Sequence, residues 1–400
     1  MTESFGELLR ECRVGAGLSM GELARRIHYS KGYLSKLENG LKPPHEAVAR
    51  LCDSVLNAGG ALVAAVRSAR DQDAAEITLD RRRVLVAGSM LAVTLTGGPR
   101  PEPDERVVAG MRSSFEHLRE LGMQTSPVVV LEPLVAHVHT VHALACENPE
   151  PTRSRLLLLA ARVAEYTGWM SQEAGDEQRA LWWTRQAAEL ASAGGDQEIA
   201  SYAFVREAGL ALYRHDSIST IELARRAQLS GRTSPRTLAL AARREAQGHA
   251  LAGDRDSYQG ALDRAVELFG SSTPDTRAYP VLGTLAPDPV ELARGWSLCD
   301  LGRPAEAAAV LDRELARLPT LSRRTRARFG VRRSLAHALS GEVDQSCLTL
   351  TQVLDDAAHV DSATVRMDLR ELARNLGRWH NHGTVREVYP ALKRVLRQRG

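Results

Sequence analysis

Apolar residues first recur at helical spacing over Phe5, Leu8, Leu9 and Cys12, which share one face of a 3.6-residue helix. Gly15 and Gly17 stop that helix. Ser19, with Glu22 three residues on, has the spacing of a capping box. It opens a second helix that turns Leu23, Ala24 and Ile27 inward. Ser30 is placed to cap a third helix carrying Leu34 and Leu37, and Asn39-Gly40 ends it, glycine being suited to the left-handed backbone of a helix terminus. After Pro43-Pro44 a fourth helix presents Val48, Leu51, Cys52 and Val55. Only His28 and Tyr29 join the second helix to the third. So short a turn makes the two cross steeply and leaves the third projecting, a shape that fits the major groove of DNA.

Further along, Asp80-Arg81-Arg82-Arg83 precedes an apolar stretch from Val84 to Leu95. The pair resembles an export signal in the wrong place, and the stretch is too short to span a bilayer, which takes about 20 residues. We read it as a buried helix leading into the next domain. Gly97-Gly98-Pro99-Arg100-Pro101-Glu102-Pro103 reads as a linker. From about residue 150 a unit recurs: a small residue, a turn seven positions on, then a second helix with its own small residues. Gly168 precedes Gly175-Asp176, Ala246 precedes Gly253-Asp254, Gly295 precedes Gly302 and Ser334 precedes Gly341. Ala180, Ala187, Ala265 and Ala307 follow those turns, and a degenerate copy runs from Ala208 through Arg214-His215-Asp216 to Ala227. Thr273-Pro274 to Pro289 interrupts the series, and a last hairpin around His382-Gly383 caps it.

Composition sharpens this picture at two points. The chain of 400 residues is 44% hydrophobic and 4% aromatic, with 25% charged residues, and it is dominated by the helix formers Ala, Leu and Arg. Its net charge of +3 implies no partner by itself. Its lysines, however, are Lys31, Lys36, Lys42 and Lys393 alone. Three of the four fall on or beside the third helix, where they suit phosphate or base contact. Cys12, Cys52, Cys146, Cys299 and Cys347 form no CxxC pair, a set that fits reduced thiols in cytoplasm and no zinc site. His137 and His139 point about 200° apart on a helix and cannot share a metal, as is true of His380 and His382. No phosphate loop, nucleophile elbow or zinc-protease motif is present, so neither an enzyme nor a metal or cofactor is expected.

Leu18 to Ala24, then Tyr29-Ser30, then Leu34 to Gly40 and Pro44, together resemble the xenobiotic-response-element, or phage-repressor-like, helix-turn-helix family over roughly the first 60 residues. The resemblance implies a double-stranded DNA operator as partner, with bases read from the start and outer face of the third helix. The base-reading positions so implied are Lys31, Gly32, Tyr33 and Lys36, with Asn39 at a phosphate-clamping position, Lys42 adding a salt-dependent contact, and Ser30 and Ser35 completing the DNA-binding set. Lysine donates to guanine O6 and N7. Met20 stands where many members carry a glutamine that touches DNA, so some of the usual specificity is absent or moved.

The recurring unit is similar to the tetratricopeptide repeat, although its turns at 175, 215, 253, 302 and 341 lie further apart than that family's period of roughly 34 residues. Such an array offers a concave face for a small molecule, peptide or protein. Trp169 and Trp296 share one repeat position and either line this groove or fill the core; Arg162, Glu165, Tyr202, Arg206, Arg243 and Gln247 are candidates for the same groove. The combination resembles peptide-sensing regulators of Gram-positive bacteria. Those hold peptide backbones with asparagines, and residues 149–374 contain none.

The expected fold is therefore all-α: a helix-turn-helix bundle at 1–70, a connecting helix and linker at 71–104, and a helical-hairpin solenoid at 105–400. The expected function is a cytoplasmic transcription regulator that binds operator DNA as a homodimer, without membrane attachment. Its repeats dimerise it and sense an effector. The alternative is an adaptor whose repeats dock a partner protein, with DNA binding secondary.

Overall fold

The computed structural model describes residues 5–27, 31–39, 46–66, 105–229, 233–271, 288–317 and 323–397, leaving out the side chains of 31–33, 36, 46 and 47. Among them there is no strand, and the all-α expectation holds. The chain divides into two compact units, 1–98 and 99–400. The apolar stretch 84–95, the linker 97–103 and nearly all of the insertion from Thr273 lie outside the described residues.

The first unit contains α1 (Phe5–Gly15), α2 (Met20–Arg26), α3 (Lys31–Glu38), α4 (Glu46–Leu56) and α5 (61–66). Phe5, Leu9, Leu23, Ala24, Ile27, Leu34, Leu37, Val48, Cys52 and Leu56 form its core, closed from below by Leu62 and Val66. Leu51, expected inside, is 42% exposed, because Val48, Cys52 and Leu56 already complete the inward stripe of α4. The capping box at Ser19 is present: its hydroxyl accepts from the Glu22 amide at 3.3 Å and the Glu22 carboxylate accepts from the Ser19 amide at 2.8 Å. Asp53, itself buried, ties α4 to α5 by accepting from the amides of Gly60 at 3.0 Å and Val63 at 2.8 Å.

The second unit opens with α6 (Glu105–Gly122) and α7 (Pro127–Glu147). Five hairpins follow: α8 (Thr152–Ala174) with α9 (Glu177–Ala193), α10 (Glu198–Tyr213) with α11 (Ser217–Gln228), α12 (Pro235–Ala252) with α13 (Arg255–Gly270), α14 (Pro289–Asp300) with α15 (Pro304–Leu315), and α16 (Arg323–Leu339) with α17 (Val343–Val360). The cap is α18 (Ala363–Leu376), a short 3-10 turn and α19 (Gly383–Arg397). Gly175, Gly253, Gly302 and Gly341 all adopt positive φ, the backbone that ends a helix without a Cβ penalty. At the degenerate turn His215 takes the same conformation with φ 57°. Asp176, Asp216 and Asp254 then cap the second helices through the amides of Arg179, Ser219 and Ser257.

The small residues that mark the repeat do steric work. A Cβ on Gly168 would lie 3.2 Å from the Ala180 carbonyl, one on Gly248 2.7 Å from Ile221, and one on Gly295 2.7 Å from Leu311. First and second helices therefore press together where one of them lacks a side chain, within a hairpin at Gly168 and Gly295 and against α11 of the preceding hairpin at Gly248. Leu156, Leu159, Val163 and Met170 of α8 are fully buried between neighbours; each such side chain contributes about 1.5–3 kcal/mol by leaving water.

First helices also pack on one another: α10 on α12, α12 on α14, and α16 on α18. The series curves until α18 meets α8. Glu173 of α8 sits at this seam with no exposure. It accepts from Arg324 Nη1 at 2.9 Å, Ser362 Oγ at 2.7 Å, Thr364 Oγ1 at 3.1 Å and the Arg328 guanidinium. Arg324 further donates through Nε to the Gly122 carbonyl at 2.9 Å and through Nη2 to that of Thr125. Five elements thus converge on one carboxylate and one guanidinium.

One described helix, α7, is long and apolar enough by composition to cross a membrane. In this fold Val130, Leu134, Val138 and Val141 recur at helical spacing on its buried face, within the core shared with α8. Its histidines have separate surroundings. His137 is bonded to the Met111 carbonyl at 2.9 Å and its pKa is lowered by burial, His142 lies 3.8 Å from Cys146 Sγ, and His139 is tilted toward Trp183.

Candidate functional site

Two places in the chain combine geometry with chemistry. In the first unit, α2 and α3 share a core through Leu23, Ala24, Ile27, Leu34 and Leu37, and α1 braces the end of α3. Gly6 makes that brace close: a Cβ there would meet the Glu38 carbonyl at 2.6 Å and that of Leu37 at 2.7 Å. Arg13 forms a two-pronged pair with Glu38, Nε to Oε1 at 2.5 Å and Nη2 to Oε2 at 2.9 Å, and its third nitrogen reaches the Leu18 carbonyl at 3.0 Å. Such a planar fork fixes direction as well as distance. One residue of α1 thus locks the C-terminal end of α3 to the turn that precedes α2.

Of the positions expected at DNA, Lys31, Gly32, Tyr33 and Lys36 lie on α3, their side chains outside the described set, and Ser30 and Lys42 lie outside the described residues. Ser35 is partly exposed, and the exposed Asn39 ends the helix by donating to the Ser35 carbonyl at 2.7 Å. Leu34 and Leu37 are buried, as the third-helix pattern requires.

The second place is a cavity inside the hairpin array. It holds about 880 Å³ of space outside the atoms, its open mouth included. Every first helix from α8 to α16 contributes. Glu165, Tyr166 and Trp169 come from α8, Tyr202, Arg206 and Tyr213 from α10, and Arg243, Arg244 and Gln247 from α12. Pro289, Ala293 and Trp296 come from α14, Arg324, Thr325, Arg328 and Phe329 from α16, and Arg119 from α6. Spacings of three, four or seven residues put most of each set on one helical face. The structure therefore brings together Glu165, Trp169, Tyr202, Arg206, Arg243, Gln247 and Trp296. Arg162 does not line the cavity: it is buried and lies 3.7 Å from Asp196.

The two tryptophans are at once wall and packing. Trp169 meets Tyr166 edge-on at 5.5 Å, and Trp296 lies 5.4 Å from Tyr213 with the Arg332 guanidinium over its ring. Charge in the lining is lopsided, with six arginines and one carboxylate. Burial raises the Glu165 pKa against the pull of Arg206, Arg119 and Arg162, and it raises the Tyr202 phenol to about 12. Burial likewise lowers Arg243 to about 10 and Arg244 well below its ordinary value. Sequence reasoning missed Arg119, Arg244, Arg324 and Arg328. The last two, with Arg332, recur every four residues along α16, a signal readable as one basic helix face.

The arrangement of α2 and α3 defines a helix-turn-helix DNA-binding domain. Residues 4–66 match the family model described as a helix-turn-helix domain, and the chain is a DNA-binding regulator at that level of description. No curated protein matches the chain.

Proposed function

We propose that the chain is a transcription regulator of the phage-repressor-like type whose helix-turn-helix reads an operator as a homodimer. A tetratricopeptide-like array holds the two copies together and senses an effector. The observation that carries this is the convergence of five successive hairpins on one lined cavity. A scaffold for dimerisation alone needs no such lining, whereas a ligand pocket commonly combines aromatic walls with a few convergent polar groups. The role is binding rather than catalysis, and the setting is the cytoplasm.

A ligand changes operator affinity only through its different affinity for two arrangements of the readers. The test replaces residues 105–400 with a heterologous dimerisation helix. We expect that chain to bind its operator and to lose its response to growth conditions. If it regulates and responds like the full chain, the array is only a scaffold.

A further inference from the structure

We infer that the cavity takes a small organic polyanion, a planar ring bearing two or more phosphate or carboxylate charges, and that Arg243 and Arg244 are the residues that clamp it. The inference rests on the effector role proposed above only in its final arm.

The charges decide the class of ligand. Glu173 supplies a counterion to Arg324 and Arg328, and Glu165 lies 3.5 Å from Arg206. Among the described residues no carboxylate pairs with Arg243 or Arg244. Each has one neutral partner, the Pro289 carbonyl at 3.3 Å for Arg243 and Gln247 Oε1 at 2.8 Å for Arg244. The Nε of each faces no acceptor. Arginine keeps its charge at neutral pH, so two cations neighbouring in sequence line the cavity, each partly buried, without a counterion among the described residues. A charge drawn even partly out of water without a partner is destabilising, and a fold shaped for stability alone would place a carboxylate or an apolar group here.

The backbone has also been cleared for one of them. A Cβ on Gly209 would lie 3.1 Å from Arg244 Nη2 and 3.3 Å from its Cζ, so the guanidinium lies against α10 where a side chain is missing. Two guanidiniums present planar forks that match carboxylate or phosphate oxygens two at a time. Trp169 and Tyr202, around the same space, supply aromatic surface for a ring. A space of this size suits something small.

The test uses the full chain and four probes: inorganic pyrophosphate, adenosine diphosphate, pyridine-2,3-dicarboxylate and adenosine. Thermal unfolding is followed against sodium chloride of equal ionic strength, with binding read by calorimetry. We expect pyrophosphate to raise Tm beyond the chloride control. We expect a charged ring compound to bind about tenfold or more tighter than adenosine, the loss that a missing charged fork produces. Preference between the diphosphate and the dicarboxylate separates a phosphate from a carboxylate ligand. Arg243→Gln with Arg244→Gln should lose that affinity while its anion-free Tm is unchanged or higher. Absence of any anion-specific stabilisation in the wild-type chain overturns the site, whatever the variants do. Undiminished binding by a folded double variant overturns the assignment to these two arginines. The last arm measures operator affinity with and without the tightest probe. A probe that binds without moving operator affinity leaves the anion site standing and removes the sensor proposal, whereas no binding at all removes the site alone.

Discussion

Replacing Glu173 by glutamine removes one charge and almost no volume from the seam of the array. The wild-type carboxylate is fully buried and carries four donors from α16 and α18 or the residue that caps it. Burial alone would raise its pKa, yet Arg328, Arg324 and the Ser362 hydroxyl outweigh burial and hold it at about 2, against 4.5 for a free glutamate. That difference corresponds to about 3 kcal/mol of folding stability. The folded pKa lies below the unfolded one, so the contribution is complete above the unfolded value and disappears as pH falls through the folded one. At neutral pH Glu173→Gln also leaves Arg324 and Arg328 without their counterion, and breaking a buried pair from one side costs about 3–5 kcal/mol. All five tryptophans, Trp169, Trp182, Trp183, Trp296 and Trp379, belong to the second unit, so urea unfolding followed by their fluorescence reports on this unit alone. The expected result is a loss of about 3 kcal/mol or more at pH 7, narrowing as both proteins are taken toward pH 2. A loss below about 1 kcal/mol, or a difference that does not narrow in acid, would show that the seam is held by packing and not by this ion.

Three further outcomes are expected. Lys31→Ala and Lys36→Ala should each weaken operator binding by about 1–3 kcal/mol if they read bases, while Lys42→Ala should reduce the salt slope by about one on any DNA; titrations on operator and random duplexes distinguish the two. Gly6→Val pushes a side chain into the Glu38 and Leu37 carbonyls, an overpacking that should destabilise the first unit by about 1–3 kcal/mol; an unchanged melting curve and operator affinity would refute the brace. Cys146 is exposed, whereas Cys52 is buried and its thiol is pushed up to about 11, so a thiol reagent at pH 8 should label Cys146 first and Cys52 only on unfolding, as peptide mapping would read.

How much of this was legible in the sequence depended on range. The turns at Gly175, Gly253, Gly302 and Gly341 could be read because a positive φ is a local demand met by one residue type. The capping box at Ser19 was visible for the same reason: both partners lie within one turn of helix. Repeat register put Trp169 and Trp296 at equivalent positions, and both line the cavity. Arg162 falls outside the cavity lining because register names a helix face but not which of two adjacent faces a long side chain follows, and it turns toward Asp196. Leu51 was assigned to the core by a stripe drawn one residue too wide. What no local pattern carried was long-range: the fork between Arg13 and Glu38, the fit of Gly6 under the end of α3, and the meeting of Glu173 with residues more than 150 positions away. Those partners are charged or small residues whose surroundings exist only after the chain has folded back.

Arrays of helical hairpins ordinarily touch only their neighbours in sequence, so they can fray from either end and their stability is nearly a sum over links. The seam at Glu173 gives this array a hoop's mechanics instead. The terminal hairpin cannot peel off without stripping hydrogen bonds from a buried ion, and the opening hairpin is held by the same ion. Disturbance at any one repeat then has two routes around the circuit, and both arrive at the joint where the α6–α7 turn, α8, α16 and α18 meet.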